Sequence, residues 1–513
     1  MSKQKRKKGL HRKMRRGSSN KGQNSIPPLC DNTPGLDIQE ALDQASRLFS
    51  QGHLAEAESL CRKILTMDSE SIPALYGMGR IAQMTGRLIE AEQYVSKITF
   101  LQPDNHEAYN YLGSILRDLG KLDNATRKFQ KAAELNPLSA TAHNNLGNLY
   151  FSQNKLELAI SSYQKAINIS PQNSNYYFNL ANVYNNNKLF DEAIASHQKA
   201  ISLQPNHVGA LYNLGLLFRD LSRLDEAFQS LKTAVEYDPG RSDVIDSLID
   251  LLNNFMPNTE ADCPYVIAQK SLQQVNKAYS STSVIADETI RQIYQRCHSI
   301  LSLHRLSIET STSQLFRGEV FDINCPRHMK VFETFRIIPR YCFDCYKVFF
   351  EPRTVMELFK LLLLFDKIKL PNNNTRKCHV EKRPGISGTY KGFIYCKSLD
   401  EGKKILNIVQ PIVGKTISEE MPISLKRGCS EFQVAYPSYG LIDDDKTQQM
   451  ICSEEWLAQE VYADKNLVIN ENENPNNFTH NHSGFTLLDA LVMRKWLAYA
   501  AKIEDESYLK IVE

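Results

Sequence analysis

Apolar positions along residues 36–239 recur with a period of 34 residues. Ala57, Ala91, Ala125, Ala159, Ala193 and Ala227 form one series of small residues. Gly79, Gly113, Gly147, Ala181 and Gly215 form another, preceded by Met78, Leu112, Leu146, Leu180 and Leu214. Ala132, Ala166, Ala200 and Ala234 form a third, and Pro103, Pro137, Pro171, Pro205 and Pro239 close successive periods. Small residues let two antiparallel helices approach closely while Leu and aromatic side chains fill the space between them. Proline cannot continue a helix and marks the end of the second one. The turns, such as "LGKLDNA" and "LSRLDEA", are polar or Gly-containing before each new apolar face. The pattern predicts six helix–turn–helix units. The segment "GRSDVIDSLIDLLNNF", 240–255, is expected to cover the last open face.

These positions resemble the tetratricopeptide repeat family over residues 36–239. The first unit departs from the pattern, with Gln44 and Ala45 where Leu and Gly are expected. The resemblance implies a right-handed superhelix whose concave groove is lined by the first helix of each unit. Asn145, Asn179 and Asn213 recur at the repeat period, as do Asn148 and Asn182. The copies are similar to the array of O-linked N-acetylglucosamine transferases, where such asparagines hold peptide backbone. The resemblance thus implies that these five amides bind a protein or extended peptide. An amide both donates and accepts, so it can pair with backbone without reading sequence. The competing reading is that they cap or solvate exposed helix faces. The resemblance does not carry glycosyl transfer, because no sugar-nucleotide motif follows the array.

Past about residue 256 the period stops. Residues 257–310 read as further helices with Ser/Thr-rich breaks. Then the pattern becomes short β-rich runs alternating with helices. Strands are expected at 345–352, 376–383, 390–397 and 423–429, and helices at 353–368 and 399–413. That order, β-α-β-β-α-β, is the ferredoxin-like split motif. A last helix is expected in "TLLDALVMRKWLAYAAKI". The fold class is therefore multi-domain, an all-α repeat superhelix followed by an α+β domain. Its parts are a basic arm (1–35), six repeats (36–239), a capping helix and helical linker (240–305) and the α+β domain (306–513).

Charge changes this picture in two places. Residues 1–21 hold ten Lys or Arg and no acid, while the whole chain is only +3, so the basicity belongs to the arm. Such an arm is too polar to bury and is expected to be disordered, a solvated leader or a nuclear or nucleic-acid contact. Residues 325–396 hold fourteen Lys or Arg against six acids, which gives the α+β domain a basic face. The longest apolar run, "LFKLLLLF", is too short for a membrane helix. The eleven cysteines are odd in number and irregularly spaced, which points to a reducing, cytoplasmic setting.

Three chemistries compete in the second half. Lys391-Gly392-Phe393-Ile394-Tyr395 is similar to the basic-Gly-aromatic strand of RNA-recognition domains, and alternation puts Lys391, Phe393 and Tyr395 on one face. Ile394, Cys396 and Ser398 depart from that signature. The loop "KRPGISGTYKG" adds Lys382 and Arg383 to a set suited to RNA or another phosphate-containing ligand, or it is simply a hairpin. Cys325 and His328, with Cys342 and Cys345, have the close-pair spacing of a zinc site, and buried unreactive thiols are the alternative. "HNH" at 480–482 adds a His-x-His. Redox chemistry at Cys342-x-x-Cys345 is weakest, because the pair precedes a strand and opens no helix. Two functions follow: a scaffold whose repeats recruit a partner while the second domain makes another contact, or an enzyme acting on a client held by the repeats.

Overall fold

The structure, a computed structural model, describes residues 37–257, 262–275, 283–318, 325–383, 388–442, 450–466 and 484–512. The basic arm, residues 384–387 of the Gly-rich loop and the "HNH" stretch lie outside the described residues. The chain divides into two compact units between Asn145 and Leu146.

The first unit contains α1 (Ile38–Ser50), α2 (Leu54–Met67), α3 (Ile72–Met84), α4 (Leu88–Leu101), α5 (His106–Asp118), α6 (Leu122–Leu135) and the start of α7 (Ala140–Ser152). The second continues with α8 (Leu156–Ile169), α9 (Ser174–Asn186), α10 (Phe190–Leu203), α11 (Val208–Asp220) and α12 (Leu224–Tyr237). The small-residue series is explained by one contact repeated in each helix pair. A methyl group at Gly79 would lie 2.8 Å from Val95, and one at Gly113 2.7 Å from Phe129. In the second unit the same test at Gly147 meets Tyr163 at 2.6 Å, and at Gly215 it meets Leu231 at 2.8 Å. Each small residue thus sits under the side chain sixteen positions later. In the two remaining pairs the small residue is alanine, Ala45 sixteen positions before Cys61 and Ala181 sixteen before His197.

The turns inside the pairs are also periodic. Gly52, Gly86, Gly120, Asn154, Lys188 and Ser222 all have positive φ, between 57° and 82°. Each ends the first helix of its pair. At the fifth pair Leu189 N–H donates to the Tyr184 carbonyl (2.9 Å), and at the sixth Arg223 N–H donates to the Phe218 carbonyl (2.8 Å). This is the left-handed helix ending that glycine adopts without strain.

After the repeats come α13 (Ser242–Asn254), α14 (Pro264–Gln273) and α15 (Asp287–Leu303). Then follow β1 (Gln314–Arg317), α16 (Cys325–Phe335), β2 (Tyr346–Phe350), α17 (Val355–Lys367), β3 (Arg376–Val380), β4 (Tyr390–Cys396), α18 (Leu399–Thr416) and β5 (Ile423–Arg427). The chain continues through α19 (Ser430–Ala435), α20 (Glu454–Asn466), α21 (Leu487–Lys502) and α22 (Leu509–Val512). One apolar core runs from Ala193 of α10 through α13, α14 and α15 to the sheet and Ile511. The five strands form a single antiparallel sheet in the order β1-β3-β4-β2-β5. Strand β1 was not expected from the sequence pattern. It is fastened by Arg317, which pairs with Asp366 of α17 and with Asp489 of α21 at 2.8 Å. Asp489 also caps α21 together with Thr486.

Two outcomes are expected. Lys188→Gly and Ser222→Gly each relieve a left-handed side chain and raise unfolding free energy by about 0.5–1 kcal/mol in chemical denaturation. His197 is buried with Nδ1 unpartnered, and burial lowers its pKa to about 4. The unfolded chain takes up this proton near the ordinary 6.5, so stability is lost as pH falls from there toward 4. Between pH 7.5 and 5, wild type should lose about 2 kcal/mol that His197→Leu does not lose, read from paired denaturation curves.

Candidate functional site

The asparagines fall on the first helices of their pairs, and they pair along the array. In the first unit Asn145 Nδ2 donates to Asn110 Oδ1 at 3.0 Å. In the second, Asn213 Nδ2 of α11 donates to Asn182 Oδ1 of α9 at 2.8 Å. Each bond uses one Nδ2 and one Oδ1 of its pair, which leaves the other side-chain nitrogen and oxygen for a further partner, and all four residues are half-buried. Asn179 is half-buried on α9 as well. Asn148 is placed differently: its Oδ1 accepts from the Tyr163 hydroxyl at 2.6 Å. That bond locks Tyr163 over Gly147, which makes Asn148 part of the packing. A separate cavity of about 320 Å³ opens between α1, α2 and α3, lined by Leu42, Ala45, Phe49, Tyr76 and Arg80 among others. Arg80 lies over the Phe49 ring at 4.4 Å.

The sheet has two unlike faces. A methyl group at Gly392 would meet Leu361 of α17, and one at Gly402 of α18 would lie 2.6 Å from Leu425 of β5. Leu425, Val348 and Ile394 share that register, so both helices cover one face. Alternation sends Lys391, Phe393 and Tyr395 to the other face, as the sequence pattern predicts. Pairing places Lys347 and Phe349 of β2, Lys377 and His379 of β3, Phe316 of β1 and Lys426 of β5 there too. The rings form a row: Phe393 lies 5.1 Å from Phe349 and 5.6 Å from His379. Lysines sit over them, Lys426 Nζ 3.5 Å from Phe349 and Lys347 Nζ 5.1 Å from Tyr395. Cations over aromatic faces are attracted by the ring quadrupole.

A cavity of about 460 Å³ lies over this face. Its floor carries Lys347, Lys377, His379, Lys391, Phe393 and Tyr395, and Lys382 and Arg383 border it. Arg383 ties the wall together, donating to Glu381 at 2.8 Å and pairing with Glu431. The Arg383 guanidinium holds the Glu381 carboxyl down at about 2. Lys391 Nζ reaches the same carboxylate at 3.4 Å, yet desolvation lowers the lysine pKa. Desolvation also holds the His379 imidazole neutral. Lys382 lies over the Tyr499 ring at 5.4 Å. Sequence reasoning missed Lys347, Phe349, Lys377 and His379, although the period-two alternation of "YKVFF" and "RKCHV" carries them.

The zinc expectation is revised. Cys342 lies in a short 3-10 turn, Arg340–Asp344, and Cys345 immediately precedes β2. With His328 they border a void of only about 10 Å³, and the further cysteine there is Cys429. The Cys325 side chain lies outside the described residues. His328 stacks on Tyr341 at 5.4 Å. Among the described residues no three His, Cys, Asp or Glu side chains are disposed to hold a metal ion. Burial pushes the Cys342 thiol far up and the Cys345 thiol to about 11, so both are neutral thiols in the metal-free chain. Of the four residues expected, the structure thus brings His328, Cys342 and Cys345 to one small void and places Cys429 beside them.

Models described as TPR or tetratricopeptide repeat match residues 48–114, 113–153, 147–188 and 173–239. Similar solved structures include MamA, 28% identical, with 32% of this chain and 95% of that one covered and a TM-score of 0.30. YrrB, described as a TPR protein with an unusual peptide-binding site, is 25% identical over 34% of this chain and 91% of its own, with a TM-score of 0.30. The Cut9 of the APC/C Cut9–Hcn1 hetero-tetramer is 21% identical over 42% and 43%, with a TM-score of 0.38. A search of curated proteins finds no match.

The thiol chemistry yields a direct check. Iodoacetamide at pH 8 should leave Cys342, Cys345, Cys378 and Cys396 unmodified in the native chain and alkylate all four after denaturation, read by peptide mass spectrometry. Modification of Cys342 in the folded chain would contradict the burial described.

Proposed function

We propose that this chain, in which residues 48–239 are tetratricopeptide repeats, is a protein-binding scaffold whose first helices hold an extended peptide. The observation that carries this is the Asn182–Asn213 pair on adjacent first helices, with an amide donor and a carbonyl acceptor left over. A peptide backbone offers the complementary acceptor and donor at every residue, so such a pair binds it without choosing its side chains. Asn110 and Asn145 repeat the device in the first unit. Asn179 belongs to the same reading, and Asn148 supports it indirectly by fixing Tyr163. The YrrB description, a peptide-binding member of the same repeat family, agrees with it.

The sheet domain supplies the second contact in this reading. Its strand order, antiparallel pairings and two helices on one face support the ferredoxin-like split motif. Its lysine-rich other face supports a phosphate-containing ligand. Among the described residues no helix is long and apolar enough to cross a membrane. The odd number and irregular spacing of the cysteines favour a reducing, cytoplasmic setting.

The test is to pan a random peptide library against the full chain and measure the enriched peptides by calorimetry. Asn182→Ala with Asn213→Ala should weaken them about tenfold, the loss of one or two backbone hydrogen bonds, at unchanged melting temperature. A library that yields no binder, or binders indifferent to both substitutions, would sink the reading.

A further inference from the structure

Three cysteines meet where β2 begins and β5 ends. Tyr346 pairs with Arg427, and just beyond them the Gly428 N–H donates to the Cys345 carbonyl at 2.8 Å. Gly428 has a φ of 58°, and a methyl group there would collide with the Tyr439 side chain, so glycine turns the chain at this point. The turn delivers Cys429 to the void that Cys342 and Cys345 border. Cys429 also lines the cavity over the basic face, whose rim carries the exposed Lys382 and Arg383. It therefore stands between a route from solvent and two buried thiols.

Exposure alone does not single this thiol out. Among the described cysteines both Cys429 and Cys452 are half-buried, and the others are buried. Their surroundings differ. Lys347 Nζ lies 3.3 Å from Cys429 Sγ, within hydrogen-bond reach of sulfur. A cation beside a thiol favours the thiolate, which is the nucleophile. Cys452 has the opposite setting, because burial and then the Glu460 carboxylate push its pKa up. Arg383 faces Cys429 as well and pairs with Glu431. After burial, negative charge on Cys429 is the next cause that raises Cys342, and it raises Cys345 too. A charged Cys429 thus leaves the other two thiols protonated beside it.

We propose that Cys429 is a reactive thiol, reached by peroxide and other small electrophiles through the cavity, and that on oxidation it forms a disulfide with Cys342 or Cys345. The Cys429 thiolate attacks one peroxide oxygen and the O–O bond breaks. The other oxygen leaves as hydroxide and takes up a proton to become water, and Cys429 becomes a sulfenic acid. A neighbouring thiol then gives up its proton and attacks that sulfur. The S–S bond forms and the sulfenic hydroxyl leaves as a second water. The two sulfurs together lose two electrons to the peroxide. This chemistry stands apart from peptide binding by the repeats.

Iodoacetamide labelling of the full chain at pH 7, read by peptide mass spectrometry, tests the reactive thiol. Cys429 should be alkylated at least about tenfold faster than Cys452. Lys347→Met should slow Cys429 about tenfold with Cys452 and the melting temperature unchanged, and Lys347→Arg should restore most of the rate. After hydrogen peroxide, an unreduced peptide map should show Cys429 joined to Cys342 or Cys345. Equal rates at Cys429 and Cys452 in wild type would overturn the proposal even if Lys347→Met does not fold. A Cys429 rate indifferent to a folded Lys347→Met would overturn it too. So would a Cys342–Cys345 disulfide that leaves Cys429 reduced, or oxidation of Cys429 that ends without a disulfide. Alkylation of Cys429 only after a chelator has stripped a metal would overturn it in favour of a zinc site.

Discussion

The repeat half depends on one contact, a small residue on the first helix of a pair lying under the side chain sixteen positions later. The distance between the helices is set there, because any side chain at Gly113 or Gly147 would collide with Phe129 or Tyr163. Removing such a buried aromatic typically costs about 3–5 kcal/mol, so the contact is a large share of what one pair contributes. The partner varies while the geometry holds: Val95, Phe129, Tyr163 and Leu231 all fill the place. The Ala181–His197 pair shows the limit of this tolerance. There an alanine replaces the glycine, and the buried His197 has a ring nitrogen left without a partner.

This contact is also why the repeat half was legible in the sequence. It is local, it recurs, and it demands small residues at a fixed interval. The same logic explains the sheet strands and the two long helices of the second half, whose periods are clear in "YKVFF", "YKGFIYC" and "VMELFKLLLLFDK". What escaped was set by long-range pairing. Strand β1 is only "QLFR", and it is held by Asp366 and Asp489, which lie 49 and 172 residues further on. Cys429 joins Cys342 and Cys345 through the β2–β5 pairing, and no spacing rule connects residues so distant in sequence. The basic strand face was legible by alternation, but the residues that border it were not, because Met329 of α16 and Glu431 of α19 return to it from elsewhere in the chain.

Buried charge in the second unit follows a consistent pattern. Arg317 answers two carboxylates, and Glu381 answers Arg383 and Lys391. Removing one member of such a set leaves an uncompensated charge, which costs more than the intact set contributes. Arg376 is the exception, its Nε unpartnered beside Arg317 and Asp366, and desolvation lowers its pKa. The pattern locates positional precision in the sheet domain, where cations are held at fixed places by neighbours rather than by solvent.

The core that runs unbroken from α10 to the last helix has a consequence for recognition. Where two modules are joined by a flexible tether, a partner that touches both must search over many separations, and its gain is set by an effective concentration that the tether dilutes. Here α13, α14 and α15 are packed into the same apolar body as the sheet and the last repeats, so the described residues of this unit share one core. A partner that touched both the α9–α11 face and the sheet domain would meet a ruler of constant length. Such a ruler would select by the spacing between two features of the partner, a form of specificity that neither face possesses alone.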